Sequence, residues 1–139
     1  MLHRLLVACA LALGLLASPA LAQTAPPDAA RQLIEKQLDA FAHDDAIAAY
    51  ALAAPRIKAI FPDPNVFMAM VATTYPAVYR HRSVEFGASA VKDDSIGQTV
   101  TFTDSDGAVW TALYALEKQG DGQWAIAGCV MAKSNDKAL

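Results

Sequence analysis

The chain has 139 residues, of which 55% are hydrophobic, and it carries 11 basic against 14 acidic side chains, a formal net charge of −3 at pH 7. No run of basic residues occurs, so the composition argues against a nucleic-acid partner. Once the leader described next is removed, residues 23–139 remain, enough for one domain with its own core.

The first 22 residues have the parts of a secretory signal peptide. A short positive start at Arg4 precedes an apolar run over residues 5–17, and Ala20-Leu21-Ala22 forms a small-x-small cleavage site. The apolar run is shorter than the about 20 residues that span a bilayer. We therefore expect cleavage after Ala22, a periplasmic or secreted protein, and a mature form that does not enter the membrane.

Cleavage would remove Cys9 and leave Cys129 as the single cysteine of the mature chain. One thiol forms no internal disulfide, although the compartment would permit one, so the fold depends on its hydrophobic core. We interpret Cys129 as a small buried hydrophobe, which is the usual state of a free cysteine. Its availability for intermolecular pairing stays an open alternative.

The N-terminal half carries helical patterns. Apolar residues recur at spacings of three and four between Ala30 and Ala42, which predicts an amphipathic helix capped by Asp28. An alanine-rich second helix over residues 46–54 would lie close against the first as an αα-hairpin, and Pro55 ends it.

A third main helix begins at Asp63-Pro64, where a capping acid precedes proline at the first helical position. A further short turn over residues 57–61 comes before it. The helix ends at Tyr75, because a residue that precedes proline avoids the helical region.

The C-terminal half has the two-residue period of β-strands from residue 83 onward. Turn-rich segments at 92–95, 104–107 and 119–122 separate four strands, which predicts an antiparallel meander. Helices followed by strands predict the α+β class, with an N-terminal helical hairpin and a third helix packed on a curved four-stranded antiparallel sheet. A single domain over residues 23–132 and a flexible tail over residues 133–139 are expected.

Alternation also assigns side chains to the two faces of the sheet. The face toward the helices holds the large apolar residues, which are Val84, Phe86, Val100, Phe102, Trp110, Tyr114, Leu116, Trp124, Ile126 and Val130. The opposite face is rich in threonine, and alternation places an apolar strip there, formed by Leu113, Ala115, Ala127 and Cys129. Such strips often mark interfaces, so this face is the candidate surface of a homodimer. An ordinary solvated sheet face is the alternative.

Several short segments carry a resemblance to a known family, namely Gln37–Phe41, Tyr75–Arg80, Ser83–Gly87, Leu113–Leu116 and Ala127–Cys129. The chain resembles a proteobacterial secreted family of unknown function with a nuclear transport factor two-like fold. That fold is the α+β cone shared by ketosteroid isomerases and cystatin-like domains. The resemblance implies the cone and brings no known activity, since a fold alone does not set function.

The segment Tyr75–Arg82 concentrates polar chemistry between the last helix and the first strand. In one interpretation it is an anion-holding rim at the mouth of the cone, where Arg80, His81 and Arg82 bind a carboxylate or phosphate. In the other it is a seam, where Tyr79 packs under the sheet and the arginines form exposed ion pairs that contribute little.

The candidate ligand-binding residues are the polar and aromatic side chains of the cone and its mouth, which are Tyr50, Tyr79, Arg80, His81, Arg82, Trp110, Tyr114 and Trp124. Core packing is the alternative for the aromatic ones. No catalytic residue is assigned, because alternation directs Glu85 and Glu117 away from the cone, where a general base would be needed. No metal and no cofactor are predicted, since the mature chain has only His43 and His81 and lacks phosphate-binding and dinucleotide motifs.

These observations predict a non-enzymatic ligand-binding or accessory module for a small apolar or anionic ligand. Two alternatives stay open. One is a lyase or isomerase acting on a small apolar substrate in the cone, with Tyr114 and His81 as participants, and the other is a structural homodimer without a ligand. An inward-facing Asp39, Asp45 or His81 beside a cavity would favour the enzyme.

Overall fold

The computed structural model describes residues 24–137, with only the backbone given for residues 135–137. The predicted signal peptide, residues 1–22, lies outside this range. The helices are α1 Pro26–Ala42, α2 Ala46–Ala51, α3 Pro55–Ile60, α4 Pro64–Thr74 and α5 Pro76–Tyr79. The strands are β1 His81–Lys92, β2 Ser95–Asp104, β3 Ala108–Lys118 and β4 Trp124–Lys137. Within residues 24–137, no helix combines the length and apolar character needed to cross a membrane.

The predicted α+β class is confirmed. The four strands pair in the order β1-β2-β3-β4, each antiparallel to the next, as a meander. The helices pack on one face of this sheet, and a single hydrophobic core fills the space between the two layers. The region between α2 and α4, read from sequence as a short turn, forms the separate helix α3.

Local signals explain where the helices begin. The Asp63 carboxylate accepts hydrogen bonds from the backbone N–H groups of Asn65 at 2.7 Å and Val66 at 3.3 Å, as the Asp63-Pro64 signal predicts. The predicted cap at Asp28 is wrong, because α1 begins at Pro26. Proline fits the first helical turn without a lost hydrogen bond, so Asp28 instead lies inside the turn, where its charge suits the helix dipole.

The core is built from one stripe of α1 and the inner face of the sheet. The largest side chains that are fully buried are Tyr114, Phe41, Phe102, Ile34, Ile96, Leu116 and Val100. Burial of each large apolar side chain contributes about 1.5–3 kcal/mol to stability. The predicted inner face is therefore correct along β2 and β3, although Val84 at the β1 edge is 37% exposed.

A bulge changes the orientation of side chains along β4. Leu116 pairs with Ile126 while its neighbour Ala115 pairs with Gly128, so Ala127 is an extra residue on β4. One inserted residue reverses which side chains face the helices beyond it. Cys129, directly opposite the buried Tyr114, consequently faces the helices.

The two face assignments beyond this bulge are therefore wrong. Cys129 was expected on the outer face and Val130 on the inner face, but Val130 is 72% exposed. Ala127 also leaves the predicted outer strip, because the chain after α2 pairs with β4 at this point and buries it. Ala54 N–H donates to the Ile126 carbonyl at 2.8 Å, and Ala127 is 5% exposed. Only Leu113 and Ala115 of the predicted strip are exposed.

Strand β4 is longer than expected. Lys133 pairs with Trp110 and Lys137 pairs with Ala108, so residues 133–137 extend the sheet where a flexible tail was predicted. β4 is an edge strand, and an edge strand tolerates polar side chains on its solvent side, so the polar residues after Ala132 are compatible with continued pairing.

Candidate ligand-binding site

A pocket of about 210 Å³ lies between the helices and the sheet. We call it the cone pocket, and its lining residues are Gln37, Phe41, Ala53, Ile57, Phe61, Phe67, Met70, Val71, Tyr75, Val78, Tyr114, Ile126, Gly128 and Cys129. Most of these side chains are apolar. The pocket therefore offers a hydrophobic surface with a small number of polar groups, the usual composition of a small-molecule site.

Helical spacing explains how the upper wall forms. Gln37 and Phe41 are four residues apart on α1, and Phe67 and Val71 are four apart on α4, so each pair lies on one face of its helix. The Phe67 ring is 6.4 Å from the ring of Phe41 and 6.3 Å from that of Phe61. These tilted and edge-on contacts fix the aromatic wall.

The sheet forms the floor of the cone pocket. Tyr114 from β3 and Ile126 and Cys129 from β4 reach it together. Cys129 does so only because of the bulge at Ala127, which turns its side chain inward. An irregularity of the strand thus shapes the site, a frequent role of bulges near functional sites.

Two buried polar side chains line the cone pocket without a protein partner. Gln37 is 4% exposed and Tyr114 is 1% exposed, and neither side chain has a hydrogen-bond partner among residues 24–134. Every side-chain nitrogen or oxygen in that range that is sealed from solvent does have a partner. The polar atoms of Gln37 and Tyr114 must therefore reach the open space of the pocket.

The fold satisfies its other buried glutamine internally. Gln98 is 3% exposed, and its amide donates to the Gly87 carbonyl at 3.0 Å and the Thr99 carbonyl at 2.9 Å. Leaving a buried polar group unpaired costs about 1–3 kcal/mol. The difference between Gln98 and Gln37 therefore separates a structural glutamine from one that faces a site.

The polar groups of the cone pocket are neutral at physiological pH. Burial raises the pKa of Tyr114 well above its usual range, with a smaller contribution from Cys129 nearby. Burial also raises the pKa of the Cys129 thiol to about 12. Both groups keep their protons, and no acidic or basic side chain is among the lining residues described above. The arrangement can exchange hydrogen bonds with a ligand through groups that keep their protons.

A second concavity of about 540 Å³, the outer groove, adjoins the cone pocket. It is lined by Thr74, Tyr75, Pro76, Ala77, Arg80, Asp104, Ser105, Asp106, Trp110, Cys129, Val130 and Met131. Tyr75 and Cys129 line both spaces, and the Tyr75 hydroxyl donates to the Cys129 carbonyl at 3.3 Å. This hydrogen bond therefore forms part of the partition between the cone pocket and the outer groove.

The predicted rim residues Tyr79 and Arg80 bind Asp44 at the turn after α1. The Tyr79 hydroxyl donates to the Asp44 carboxylate, and Arg80 Nη2 donates to the same oxygen at 2.8 Å. Arg80 Nη1 also donates to the Phe41 carbonyl at 2.6 Å. The hydrogen bond from Tyr79, and then that from Arg80, hold the pKa of Asp44 below its usual value. We call Asp44, Tyr79 and Arg80 the seam cluster.

The neighbouring rim candidates lie outside both concavities. His81 Nδ1 is 3.3 Å from the Val78 carbonyl, its ring packs 5.4 Å from Phe102, and Arg82 is exposed. Neither residue is among those that line the cone pocket or the outer groove. This geometry favours the seam interpretation, and anion binding by Arg80, His81 and Arg82 stays a prediction.

The other three predicted aromatic residues, Tyr50, Trp110 and Trp124, do not line the cone pocket and instead contact the surrounding protein. The Tyr50 hydroxyl donates to the Phe61 carbonyl at 2.6 Å, and Trp110 Nε1–H donates to Asp104 Oδ2 at 2.9 Å beside the outer groove. Trp124 packs against the core beside Lys118. Of the predicted residues, only Tyr114 lines the cone pocket.

Three polar residues that line the cone pocket, Gln37, Tyr75 and Cys129, are not among the predicted binding residues. Gln37 had a visible signal, since it is a polar residue within the apolar stripe of α1, between Ile34 and Phe41. Tyr75 belongs to the polar segment Tyr75–Arg82, but the predicted binding residues of that segment are Tyr79, Arg80, His81 and Arg82. Cys129 had no signal, because alternation cannot reveal a bulge. Among the side chains of residues 24–134, no group of three or more His, Cys, Asp or Glu residues is arranged to hold a metal ion.

The comparisons with known proteins agree with this architecture. The family model described as "Domain of unknown function (DUF4864)" matches residues 24–139. An NTF-2 like protein of unknown function from Silicibacter pomeroyi DSS-3 has 16% sequence identity and a TM-score of 0.54, with 77% of this chain and 94% of that chain covered. An NTF2-like protein of unknown function from Shewanella baltica OS155 has 11% identity and a TM-score of 0.53, with 82% and 100% covered.

No curated protein matches the chain. At these identities the solved structures establish the NTF2-like fold alone. The predicted resemblance to a family of unknown function with this fold is confirmed.

Proposed function

We propose that this chain, which belongs to the DUF4864 family, binds a small and largely apolar molecule in the cone pocket. One observation carries the proposal: an apolar pocket contains two buried polar side chains, Gln37 and Tyr114, that have no hydrogen-bond partner among residues 24–134. Protein interiors that serve packing alone are closely filled, and their polar groups are paired. A ligand would fill the space and supply the partners.

The size of the cone pocket limits the ligand. An apolar cavity of about 150 Å³ holds a benzene molecule, and drug-sized ligands occupy pockets of about 300–1,000 Å³. The cone pocket, at about 210 Å³, lies between these values. A molecule with one ring, or a short branched chain, fits this volume, whereas the four fused rings of a steroid do not.

The proposal is tested by blocking the pocket with a matched control on the same helix. Ile57 lines the cone pocket and is half-buried, whereas Ile60, one turn later on α3, is 66% exposed and does not line it. Titration with ethylbenzene and acetophenone, followed by NMR, should show saturable binding for the wild type and Ile60→Trp. Ile57→Trp should lose it while keeping a cooperative thermal transition.

Two results would count against ligand binding in the cone pocket. One is the absence of saturable binding to any single-ring probe by the wild type. The other is unchanged affinity in a folded Ile57→Trp protein, which would place the binding elsewhere.

The proposed location is the periplasm or the exterior of the cell, on the strength of residues 1–22 alone. The ligand would then be a molecule that the protein meets in that compartment. N-terminal sequencing of the protein after expression with its leader should read from Gln23. A product that retains Met1 would contradict export through this signal.

A homodimer is a second candidate, favoured by one feature of the outer sheet face. Leu113 and Val130 lie directly opposite each other on β3 and β4, and they are 52% and 72% exposed. Large exposed apolar neighbours of this kind are common at interfaces. Light scattering should give a dimer for the wild type and a monomer for Leu113→Glu. A monomeric wild type would exclude this surface as a stable interface.

A further inference from the structure

Gln37 and Tyr114 come from opposite layers of the fold and line the same pocket. Gln37 lies on α1 above the cone pocket, and Tyr114 lies on β3 below it. Each is more than nine-tenths buried. A ligand held between the helices and the sheet would therefore have both polar side chains along its pocket.

Other polar tips around the cone pocket are already bonded to the protein. The Tyr50 hydroxyl donates to the Phe61 carbonyl, and the Tyr75 hydroxyl donates to the Cys129 carbonyl. The lining residues bring no charge, and the Arg80 guanidinium, which donates to the carbonyl of the lining residue Phe41, is bound to Asp44. The hydrogen-bonding capacity that the lining residues offer to a ligand thus lies mainly in Gln37 and Tyr114.

We infer that the cone pocket selects an uncharged molecule that carries a carbonyl or hydroxyl oxygen, and that Gln37 and Tyr114 determine this specificity by hydrogen bonding to that oxygen. The inference rests on the proposed function and adds the chemical class of the ligand. A tyrosine hydroxyl and a glutamine amide can both donate to a carbonyl oxygen, and both can accept from a hydroxyl.

The chemistry of the pocket disfavours the two neighbouring ligand classes. A pure hydrocarbon would leave both polar side chains buried and unpaired, and sites built to hydrogen-bond a ligand discriminate against analogues that lack the partner. A carboxylate would carry its charge into an apolar space whose lining residues include no Lys, Arg or His. Burial of an unpaired charge is far more costly than burial of a neutral polar group.

The experiment compares three probes of nearly equal size and shape: acetophenone, α-methylstyrene and benzoate. α-Methylstyrene replaces the carbonyl oxygen of acetophenone with a methylene group, and benzoate replaces the methyl ketone with a carboxylate. For the wild type at neutral pH, acetophenone should bind roughly 2- to 10-fold more tightly than α-methylstyrene for each hydrogen bond formed. Benzoate should bind more weakly than either neutral probe.

Variants assign the preference to the two side chains. Tyr114→Phe and Gln37→Met keep the approximate shape and should lower the ratio of ketone to alkene affinity toward one while α-methylstyrene still binds. Gln32→Met is the matched control, because Gln32 is exposed on the same helix and does not line the cone pocket. It should keep the wild-type ratio.

A spectroscopic readout on the wild type keeps the inference falsifiable if a variant fails to fold. The infrared C=O stretch of bound acetophenone should lie below its frequency in cyclohexane, since hydrogen bonding weakens the carbonyl bond. A stretch at the cyclohexane value would overturn the inference. Equal affinities for acetophenone and α-methylstyrene, or preferred binding of benzoate, would also overturn it while leaving the pocket as a binding site. Failure of all three probes to bind would overturn the proposed function as well.

Discussion

The cone pocket and the seam cluster lie on either side of Phe41 and use polar chemistry in opposite ways. In the seam cluster, Tyr79 and Arg80 share the Asp44 carboxylate, and Arg80 also binds the Phe41 carbonyl. In the cone pocket, Gln37 and Tyr114 have no hydrogen-bond partner among residues 24–134. The charged residues that stand out in the sequence join parts of the chain to each other, whereas the pocket is built from residues that resemble core.

This contrast shows why a dense run of polar residues is a weak guide to a site. Tyr79 and Arg80 lie where the helical layer meets β1. Their hydrogen bonds to Asp44 hold the turn after α1 against this junction. An exposed cluster of this kind forms easily, because its groups stay in contact with water and need little desolvation. A buried polar group without a partner is costly, so its presence is more informative.

The largest expected effect comes from Phe41, which borders both regions. Phe41 is 2% exposed, lines the cone pocket and lies 5.9 Å from the Tyr79 ring. Phe41→Ala should lower the free energy of unfolding by about 3–5 kcal/mol, because it removes buried surface and leaves a cavity. Urea denaturation measures this, with the exposed Ile60→Ala as control. A loss of unfolding free energy below about 1 kcal/mol would show that Phe41 is not tightly packed in the core between the two regions.

A large kinetic effect is expected at Cys129, on the pocket side. Its pKa of about 12, against an ordinary value of 9.0, lowers the thiolate fraction near neutral pH. Since the thiolate is the nucleophile, iodoacetamide should label Cys129 about a thousandfold more slowly than an unfolded control. Mass spectrometry of the peptide that carries Cys129 gives the rate. A rate equal to that in denaturant would place the thiol outside the pocket wall.

Tyr75 tests the partition between the cone pocket and the outer groove. Tyr75→Phe removes the hydrogen bond to the Cys129 carbonyl and should lower stability by about 0.5–1.5 kcal/mol. It should also speed the exchange of acetophenone, measured by NMR line shape. Tyr79→Phe is the control, because it loses a hydrogen bond to Asp44 and Tyr79 does not line the cone pocket. Equal exchange rates in both variants would argue against a partition at Tyr75.

The smallest effect is expected in the seam cluster. The pKa of Asp44 is lowered, first by the hydrogen bond from Tyr79 and then by Arg80, so its contribution to stability is present above about pH 3.8 and is lost as the pH falls through the lower pKa of the folded state. Asp44→Asn should lower the melting temperature slightly at pH 7, and the difference from the wild type should vanish in acid. Acetophenone affinity should not change. Weaker acetophenone binding by Asp44→Asn would show that the seam cluster contributes to ligand binding, which would contradict the contrast between the two regions.

Local rules predicted much of the fold from sequence. Asp63-Pro64 specified the start of α4, and the two-residue period with its turns specified an antiparallel meander. Short-range chemistry decides these features, so they are readable without tertiary information. The start of α1 at Pro26 was missed because Asp28 was an equally good local signal.

The candidate site was less predictable because an irregularity in the pairing of β3 with β4 reshapes it. The chain after α2 pairs with Ile126, and the bulge at Ala127 next to that contact turns Cys129 inward and Val130 outward. Alternation along β4 cannot anticipate an insertion in the pairing. The inward orientation of Tyr114 could be predicted because β3 pairs regularly with β2 around it. The position of Gln37 at the pocket could not, because the sequence does not show which part of the apolar stripe of α1 borders a cavity.

The most direct test of the central claim, that the cone pocket rather than the seam cluster receives the ligand, is a methyl NMR titration of the wild type with acetophenone. Val71 and Ile126 report on the pocket, Val130 on the outer sheet face, and the Arg80 Nε–H signal on the seam cluster. The account predicts saturable shifts at Val71 and Ile126 with one shared Kd, and no saturable shift at Val130 or Arg80. Shifts centred on Arg80, with Val71 and Ile126 unchanged, would contradict it.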